Sequence, residues 1–527
     1  MIALSLADLM IITQGELILD ESLNELVIHN VVTDSRAFKE KKPNDSAFLA
    51  LKGDNFDGHF FAQQVIKEGC RLLIVEYELP EIDSSACVQL VVTDTRLALG
   101  QIAAYVKAKI APKTVGITGS SGKTTVKEMT AAILSQLGNV LATEGNFNND
   151  IGVPLTLLRL TEDHDFAVIE MGANHSGEIA YTCNLVKPDI AVINNIAAAH
   201  LEGFGDLFGV ARAKGEIFSG LNPSGIALYN QDTNYSSHWQ WRLTDKKVQT
   251  FSCSPMVGEN KADCYSSQVS LDKDGCASFI LHTTQGESAI SLNIPGQHNV
   301  CNAVAAASIA LAFQASLEDI RLGLAQMQPV QGRLNLYQLN DSFKLIDDSY
   351  NANVESTQAA TQLLSSYSGK KIMILGDLGE LGTEAVRYHQ EIGHYAATLS
   401  VDVLLTLGLL SQSASDAYSQ SDLYSTLSLS QKSQSQHFCE RKLLMVHLIT
   451  IINSVLDADH KDSKNLEQAL TILVKGSRSA QMDKVVEDIK HWYEHSSYAT
   501  SANQLSAKIE MSDVNLANIV SVQEGAK

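Results

Sequence analysis

Short apolar runs alternate with amphipathic stretches in the middle and in the last third of the chain. In the middle part, residues 115–117, 166–169 and 190–193 form uninterrupted apolar runs, which is typical of strands buried on both faces of a parallel sheet. A second alternation starts near residue 332, and its candidate strands lie at 343–346, 372–375, 403–406 and 471–474. Because helical stretches separate these runs, the pattern predicts two βα-alternating domains, the second of them a Rossmann-like open sheet.

Two other regions depart from this alternation. The first 105 residues mix short strands and helices, which predicts a separate N-terminal α/β domain. Between residues 246 and 294, Asp274-Gly275 and Gln285-Gly286 separate short strand-like runs, so we expect an antiparallel insertion in the central domain. The predicted domains therefore cover residues 1–107, 108–330 and 331–495, with a tail at 496–527.

Two segments of the last domain have a distinct composition. Residues 411–436 are rich in serine and glutamine, which predicts a long surface loop or a partly disordered insertion. Residues 443–456 form the longest apolar stretch and contain His447. This stretch is too short to cross a bilayer, so we expect a core helix there.

Charge and cysteine usage narrow the functional classes. The chain has 527 residues and a formal net charge of −21, which argues against a nucleic-acid-binding or anionic-membrane-binding surface because such surfaces need clustered Lys and Arg. Its eight cysteines show no C-x-x-C spacing, which predicts reduced thiols rather than a disulfide framework or a zinc site. The first eight residues lack the basic segment of a signal peptide. We therefore expect a soluble, cytoplasmic protein.

The strongest local signal is the string Gly119-Ser120-Ser121-Gly122-Lys123-Thr124-Thr125, which lies between a predicted strand and a predicted helix. Glycines let successive backbone N–H groups point at phosphate oxygens, and the helix N-terminus adds its positive dipole end. Lys123 is expected to neutralise the β- and γ-phosphates of ATP, and a threonine hydroxyl to bind Mg²⁺. The string differs from the usual phosphate loop because Ile117 stands where the first glycine belongs. The sequence still predicts a site for magnesium ATP.

Three polar residues beyond this loop are candidates for the same site. Glu170 ends the apolar run 166–169 and would bring a carboxylate, which suits Mg²⁺, to the edge of the sheet. His200 and Lys214 follow the next predicted strand. Taken alone, each of the three is more often a solvated or packed side chain than a functional one.

In chain order, these pieces resemble the ATP-dependent Mur ligases of peptidoglycan synthesis. The resembling strings are residues 118–125, 145–154, 170–175, 296–302, 332–333, 347–353, 376–382 and 475–478. Within the family, Glu-Met-Gly-Ala-Asn-His from residue 170 and Asp-Asp-Ser-Tyr-Asn-Ala-Asn from residue 347 are similar to the branch that adds D-alanyl-D-alanine to UDP-N-acetylmuramoyl-tripeptide. The strings of the branch that adds the third peptide residue are not in the sequence. Folylpolyglutamate synthases share two of the domains but lack a preceding UDP-binding domain.

The resemblance implies α/β architecture in three domains: an N-terminal UDP-substrate domain, a central P-loop ATPase-like parallel sheet and a C-terminal Rossmann-like domain. It implies that Asn302 binds adenine, that Arg333 and Asp348 bind the ribose and phosphates, and that residues 119–125 hold the phosphates. Mg²⁺ would be bound by Thr124 and Glu170, and a second Mg²⁺ by His200 and Lys214. Lys214 matches a lysine that the family carbamylates, which turns a cation into an anionic oxygen ligand.

The substrate ligands implied by the resemblance lie in all three domains. Ser35 and Arg36, with residues 50–59, are similar to the UDP-sugar site, and Asn148 and Asn149 would also bind substrate. Lys475 and Arg478 match a loop suited to the dipeptide carboxylate, which arginine can bind in bidentate fashion.

The implied reaction has two steps: the tripeptide carboxylate attacks the γ-phosphate of ATP, and the amine of D-Ala-D-Ala then attacks the acyl phosphate. Lys123, Lys214 and His200 would be catalytic, and the enzyme is expected to be a monomer that neither binds nucleic acid nor inserts into a membrane. The alternatives are a related ligase with another amine substrate and a nucleotide-binding regulatory module without turnover. The third residue of the tripeptide, diaminopimelate or lysine, stays open.

Overall fold

The computed structural model describes residues 1–19, 23–40, 43–53, 55–254, 261–421, 434–461 and 470–496. Three large sheets follow one another along these residues, with five, nine and six strands. The tail from residue 497, the middle of the predicted surface loop (422–433) and Asp54 lie outside the described residues.

The N-terminal sheet is mixed. Its strands, in spatial order, are Glu16–Ile18, Val88–Val91, Leu72–Val75, Ser46–Leu49 and Asn30–Val32. Only the first pair is antiparallel; a separate two-stranded ribbon joins Leu4–Ser5 to Val27–Ile28. The helical segments are Leu6–Thr13, Ser35–Glu40, Pro43–Asp45, Gly58–Phe61, Ala62–Lys67 and Thr95–Ile110. The last helix is preceded by Asp94, whose carboxylate accepts from the N–H of Leu97 as an N-cap. This helix packs on the central domain.

The central sheet brings three strand ends to one edge. Its strands, in spatial order, are Gly286–Pro295, Cys276–Thr283, Cys264–Leu271, Lys247–Ser252, Ile226–Asn230, Ile190–Ile193, Lys113–Thr118, Phe166–Glu170 and Val140–Ala142. Lys113–Thr118 lies between Ile190–Ile193 and Phe166–Glu170, and all three are parallel. Their carboxyl ends therefore deliver the phosphate loop, residue 170 and residues 194–200 to the same place.

The predicted antiparallel insertion is part of this sheet rather than a separate layer. Cys264–Leu271 pairs in parallel with Lys247–Ser252, and then antiparallel with Cys276–Thr283. The turn between the two antiparallel strands contains Gly275, whose φ of +77° is a left-handed conformation that glycine adopts without strain. The hairpin signal was thus correct, and the edge strands widen the central sheet.

Helices cover both faces of the central sheet. They are Lys123–Leu134, Gly152–Leu157, Glu178–Val186, Leu201–Phe204, Leu207–Lys214, Gly215–Ser219, Ser236–Trp239, Gln240–Leu243, His298–Ala312 and Leu317–Gln326. Lys123–Leu134 follows the phosphate loop directly and buries Val126, Met129 and Ile133, which lie on one face at helical spacing. This buried stripe fixes the direction of the helix and hence of its N-terminus.

The C-terminal sheet is open and has an apolar core on each face. Its strands, in spatial order, are Asn335–Asn340, Phe343–Asp348, Leu470–Lys475, Lys370–Gly376, Val403–Leu407 and Gln434–Phe438. The last five are parallel, and neighbours such as Ile372 and Met373 contribute to opposite cores. The helices are Val354–Ser366, Gly382–Glu384, Ala385–Thr398, Gln412–Ser419, Arg441–Lys461, Arg478–Ala480 and Asp483–Glu494. The four predicted strands of this domain are confirmed.

Two composition-based predictions in this domain had different outcomes. The core helix is confirmed as Arg441–Lys461, which buries Leu444, Leu448 and Ile452. The surface loop at 411–436 is wrong at both ends, because Gln412–Ser419 is helical and Gln434–Phe438 is a strand. Helix Gln412–Ser419 is rich in serine, but Ala414 and Tyr418 lie four residues apart on one face and are buried. These two side chains are enough to hold the helix against the domain. Within the described ranges, no helix is long and apolar enough to span a bilayer.

The cysteine prediction was wrong for one pair. Cys253 and Cys301 form a disulfide with Cα atoms 4.7 Å apart, whereas the other six cysteines are unpaired. Forty-eight residues separate the two, so their proximity depends on the packing of helix His298–Ala312 against the sheet and not on any local spacing.

Candidate active site at the domain junction

A cavity of about 770 Å³ lies where the carboxyl edge of the central sheet faces the C-terminal domain. The phosphate loop and residues 195, 196, 199 and 200 line it from the central domain. Residues 350–353, 355, 356 and 379–381 line it from the C-terminal domain. Its volume falls within the range of small-molecule sites, and clefts between domains are a common place for them.

The phosphate loop requires glycine at its tightest point. Gly122 has a φ of +72°, and a Cβ atom there would lie 2.4 Å from Oδ1 of Asn302. Helix Lys123–Leu134 starts immediately afterwards, and the first N–H groups of a helix have no partner within it. Ser120 to Thr125 all line the cavity, and Gly119 contributes its carbonyl oxygen, which accepts from Nζ of Lys123 at 2.9 Å. The local geometry is that of an anion-binding loop.

Two asparagines hold this loop in place. Oδ1 of Asn195 accepts from the N–H groups of Ser120 and Ser121 at 3.0 and 2.9 Å. Nδ2 of Asn194 donates to the carbonyl oxygen of Ser121 and to Oδ1 of Asn302 at 3.0 and 3.1 Å. The sequence interpretation did not assign a role to either asparagine. Their position directly after strand Ile190–Ile193, at the edge that carries the loop, is the signal that could have identified them.

Cationic groups converge on the cavity. Burial lowers the pKa of Lys123, and the nearby Arg333 lowers it further while Glu170 and Glu380 act in the opposite direction. Nη2 of Arg333 donates to Oγ1 of Thr124 at 3.0 Å, so the C-terminal domain reaches the phosphate loop. Burial, followed by the proximity of Lys123, lowers the pKa of Lys214 to about 7. A bound triphosphate would supply the anionic charge that this cluster lacks.

Glu170 is buried at the end of its strand and is held by neutral partners. Its Oε2 accepts from Oγ1 of Thr124 at 2.9 Å, and its Oε1 accepts from Nδ2 of Asn148 at 2.7 Å. A hydroxyl and a carboxylate at this spacing fit Mg²⁺, which prefers oxygen ligands and completes its shell with water and substrate phosphates. Asn148, predicted to bind substrate, lines the cavity and orients this candidate metal ligand.

Lys214 is fully buried, and its Nζ has no hydrogen-bond partner among the described residues. The closest aromatic ring is that of Phe204, with its centroid 5.5 Å from Nζ. In the described part of the chain no three His, Cys, Asp or Glu side chains form a cluster that could hold a metal. An anionic oxygen added to Lys214 by carbamylation would satisfy the buried nitrogen and extend the donor set, so the residues present fit magnesium in that form.

The candidate residues of the C-terminal domain differ in how exposed they are. Lys475 is buried, pairs with Asp348 and donates to the carbonyl oxygen of Asn351 at 3.1 Å. Its ammonium group is therefore engaged inside the domain, which does not support the predicted role in binding the dipeptide carboxylate. Burial raises the pKa of Asp348 despite this partner. Arg478 lines the same cavity, is largely exposed and contacts Asp483 at 3.1 Å.

The structure gathers most, but not all, of the predicted site residues. Asn302 and Asn149 line the cavity, and Oδ1 of Asn149 also accepts from the N–H of Gly152 at 2.8 Å. Ser35 and Arg36 do not line it; they lie in the N-terminal domain, where Arg36 is 88% exposed and pairs with Asp34. A separate part of any long substrate would have to reach them.

Further contacts across the domain junction were missed from the sequence. Oγ of Ser121 donates to Oε2 of Glu355 at 2.8 Å, and Nδ2 of Asn353 donates to the carbonyl oxygen of Ser120 at 3.3 Å. Nδ1 of His200 lies 2.5 Å from Oε2 of Glu380. Such contacts join residues more than 150 positions apart, and no local pattern predicts them.

Comparison with known proteins matches each of the three domains to the same family. Residues 27–107 match the Mur ligase family catalytic domain, 117–310 the Mur ligase middle domain and 332–478 the Mur ligase glutamate ligase domain. The UDP-N-acetylmuramoyl-tripeptide–D-alanyl-D-alanine ligase of Escherichia coli is 43% identical over 93% of this chain and 99% of its own. The enzyme of the same name from Haemophilus influenzae is 42% identical over 93% and 99%.

A solved structure agrees with these sequence matches. The crystal structure of MurF from Acinetobacter baumannii superposes with a TM-score of 0.81 at 38% identity, covering 92% of this chain and 98% of that one. The three-domain α/β fold is thereby confirmed. The chain belongs to the Mur ligase family of ATP-dependent ligases.

Proposed function

We propose that the chain joins D-alanyl-D-alanine to UDP-N-acetylmuramoyl-tripeptide with hydrolysis of ATP to ADP and phosphate, as an enzyme of cytoplasmic peptidoglycan precursor synthesis. The observation that carries the proposal is that the phosphate loop, Glu170 and Lys214 surround one cavity that the C-terminal domain closes. The 43% identical relative of that name, matched over nearly its full length, supports the choice of substrates.

In the first step, the tripeptide carboxylate attacks the γ-phosphate of ATP and ADP leaves. Lys123 and Arg333, both beside Thr124 at the loop, would offset the charge that develops on the transferring phosphoryl group. The helix N-terminus adds its unpaired N–H groups. The two asparagines after strand Ile190–Ile193 keep these donors in place before the substrates arrive, so little reorganisation is needed during the reaction.

Magnesium, held by Thr124 and Glu170 and in part by His200 and Lys214, would supply positive charge at the phosphate oxygens. Asn148 keeps the Glu170 carboxylate pointed at this place. Asn302 lines the cavity beside the loop and would contact the adenine; its Nδ2 donates to Oδ1 of Asn299 at 2.9 Å.

In the second step, the free amine of the dipeptide attacks the acyl phosphate, phosphate leaves and an amide forms. Arg478 is the exposed cation at the C-terminal wall of the cavity, so we assign the dipeptide carboxylate to it rather than to Lys475. UDP would be held away from this cavity by the N-terminal domain, where Ser35 and Arg36 lie. We place the domain borders near residues 107 and 330, since the family matches fall on either side of them, and expect a monomer.

The experiment that tests the proposal is phosphate release from ATP in the presence of UDP-MurNAc-tripeptide and Mg²⁺, with and without D-Ala-D-Ala. Release that needs all three substrates supports the proposal. Release with another amine, but not with the dipeptide, would point to a related ligase. No release with the complete mixture, despite ATP binding, would point to a regulatory module. Parallel assays with diaminopimelate-containing and lysine-containing tripeptides identify the third residue.

Replacing Arg478 by alanine is expected to raise the KM for D-Ala-D-Ala by roughly 10- to 100-fold, since a charge-assisted hydrogen bond contributes about 1.5–3 kcal/mol. The KM for ATP should change less than about threefold, because the nucleotide contacts are made by other residues. Steady-state phosphate release with each substrate varied in turn measures both. Arg387→Ala is the matched control, as Arg387 is an exposed arginine of the same domain that pairs with Glu384. An unchanged dipeptide KM would contradict the assignment.

A further inference from the structure

The loop between strand Lys370–Gly376 and helix Ala385–Thr398 crosses from the C-terminal domain to the central domain. Glu380 is at its tip, with a φ of +62°, a left-handed conformation that non-glycine residues adopt at an energetic cost. Its carbonyl oxygen accepts from the N–H of Glu202 at 3.2 Å. Its carboxylate reaches His200, which itself has a φ of +54°. Two strained residues therefore face each other across the domain junction.

The segment on the other side is packed against its own domain. A Cβ atom on Gly203 would lie 1.9 Å from the carbonyl oxygen of Asn174, so residues 200–204 are packed directly on the backbone of the central domain. The ring of Phe204 lies edge-on to His200, with centroids 6.3 Å apart. The position of His200 is thus set within the central domain, and the rotation of its ring is left to its neighbours.

The contact between Glu380 and His200 involves one ring nitrogen. Nδ1 contacts Oε2 of Glu380 at 2.5 Å, although the two groups are not aligned as a hydrogen bond. This contact leaves Nε2 as the nitrogen that can present a lone pair. A histidine that binds a metal through one nitrogen usually gives the other N–H to a carboxylate or carbonyl, which fixes the tautomer and the ring orientation.

We propose that Glu380 is a positioning residue that orients His200 only when the C-terminal domain is closed on the central domain. The domain that carries Arg333 and Arg478 thereby also controls the histidine that the proposed function assigns to magnesium. This inference rests on that assignment of His200. It makes closure of the domain a condition for a complete metal site.

A double-mutant cycle tests whether Glu380 acts through His200. Glu380→Ala is expected to lower kcat by roughly 10- to 100-fold, the usual effect of removing such a carboxylate, with the KM for ATP changed less than about threefold. If Glu380 acts through the histidine, Glu380→Ala together with His200→Ala should be no slower than His200→Ala alone. Glu384→Ala, a change in the same loop at a residue that pairs with Arg387, is the matched control and should have wild-type rates.

A binding measurement without turnover provides the second readout. Mn²⁺ replaces Mg²⁺, and the loss of the free-ion electron paramagnetic resonance signal is followed with a non-hydrolysable ATP analogue. Two Mn²⁺ sites are expected, one at Thr124 and Glu170 and one at His200 and Lys214. Glu380→Ala should weaken Mn²⁺ binding at the His200 site by about 10-fold or more, whereas Glu384→Ala should leave Mn²⁺ binding at both sites unchanged. Glu380→Gln keeps an oxygen acceptor for Nδ1–H and should recover part of the kcat and part of the Mn²⁺ affinity that Glu380→Ala loses. This variant also tests the inference if the alanine variant fails to fold.

The outcomes separate this inference from the proposed function. Wild-type turnover and Mn²⁺ binding in His200→Ala would show that His200 is not a magnesium ligand. Both the assignment of His200 and the inference about Glu380 would then be wrong. A defective His200→Ala combined with wild-type Glu380→Ala would overturn the inference about Glu380 alone. Additive losses in the double variant would also overturn it, because they would mean that the two residues act independently.

Discussion

Lys123→Ala is expected to lower kcat/KM for ATP-dependent phosphate release by about 10³-fold or more, because cations that stabilise a transferring phosphoryl group typically contribute 10³–10⁵. The side chain is positioned for this role by the loop itself, through the bond from Nζ to the carbonyl oxygen of Gly119 at 2.9 Å. Burial lowers the pKa of Lys123 in the nucleotide-free protein, and a bound triphosphate would favour the charged form again. Initial rates of phosphate release with all three substrates measure the effect.

Two comparisons keep this prediction specific. Lys123→Met retains most of the volume and should be as slow as the alanine variant, which separates lost charge from lost packing. Lys113→Ala changes an exposed lysine at the start of the strand that leads into the phosphate loop, and this variant should have wild-type rates. If Lys123→Met kept more than about a tenth of wild-type activity, the effect would be below roughly 1.4 kcal/mol, too small for a phosphate-stabilising cation.

The fold was predictable where the apolar pattern is dense. Runs such as 166–169 and 403–406 are uninterrupted and clearly bounded, which is typical of buried parallel strands. The pattern failed at 411–436 because a serine-rich helix needs only a few buried positions, here Ala414 and Tyr418. The pairing of Cys253 with Cys301 could not be predicted from the sequence either, because it depends on how a helix packs against the end of a strand.

The site was predictable from the sequence in its parts but not in its connections. The phosphate loop and Glu170 follow strands directly, so strand position placed them. The sequence gives no sign that the ammonium group of Lys475 is buried against Asp348. Glu380 lies within the string 376–382, and its contact with His200 depends on two domains that are distant in sequence.

Lys214→Ala is expected to lower kcat by roughly 10²- to 10³-fold, the effect of removing one preorganised electrostatic group from an active site. The physical reason is that a fully buried lysine without a hydrogen-bond partner is costly as an ammonium group but can accept CO₂ as a neutral amine. With its pKa lowered to about 7, about half of the side chain is neutral at pH 7, against roughly one part in 3,000 for an unperturbed lysine. Carbamylation is thereby made accessible at neutral pH.

The alanine variant leaves space that a small anion can fill, and this gives the sharpest test. Acetate or formate should restore part of the activity of Lys214→Ala by placing a carboxylate where the carbamate stood, whereas Lys214→Met fills the space and should not respond. Wild-type protein should incorporate ¹³C-bicarbonate into a carbamate resonance that both variants lack. Because only the neutral amine reacts with CO₂, this resonance should weaken as the pH falls below about 7. Full activity of Lys214→Met without added carboxylate would show that the buried nitrogen is not needed, and the second candidate metal ligand would then have to be sought elsewhere in the cavity.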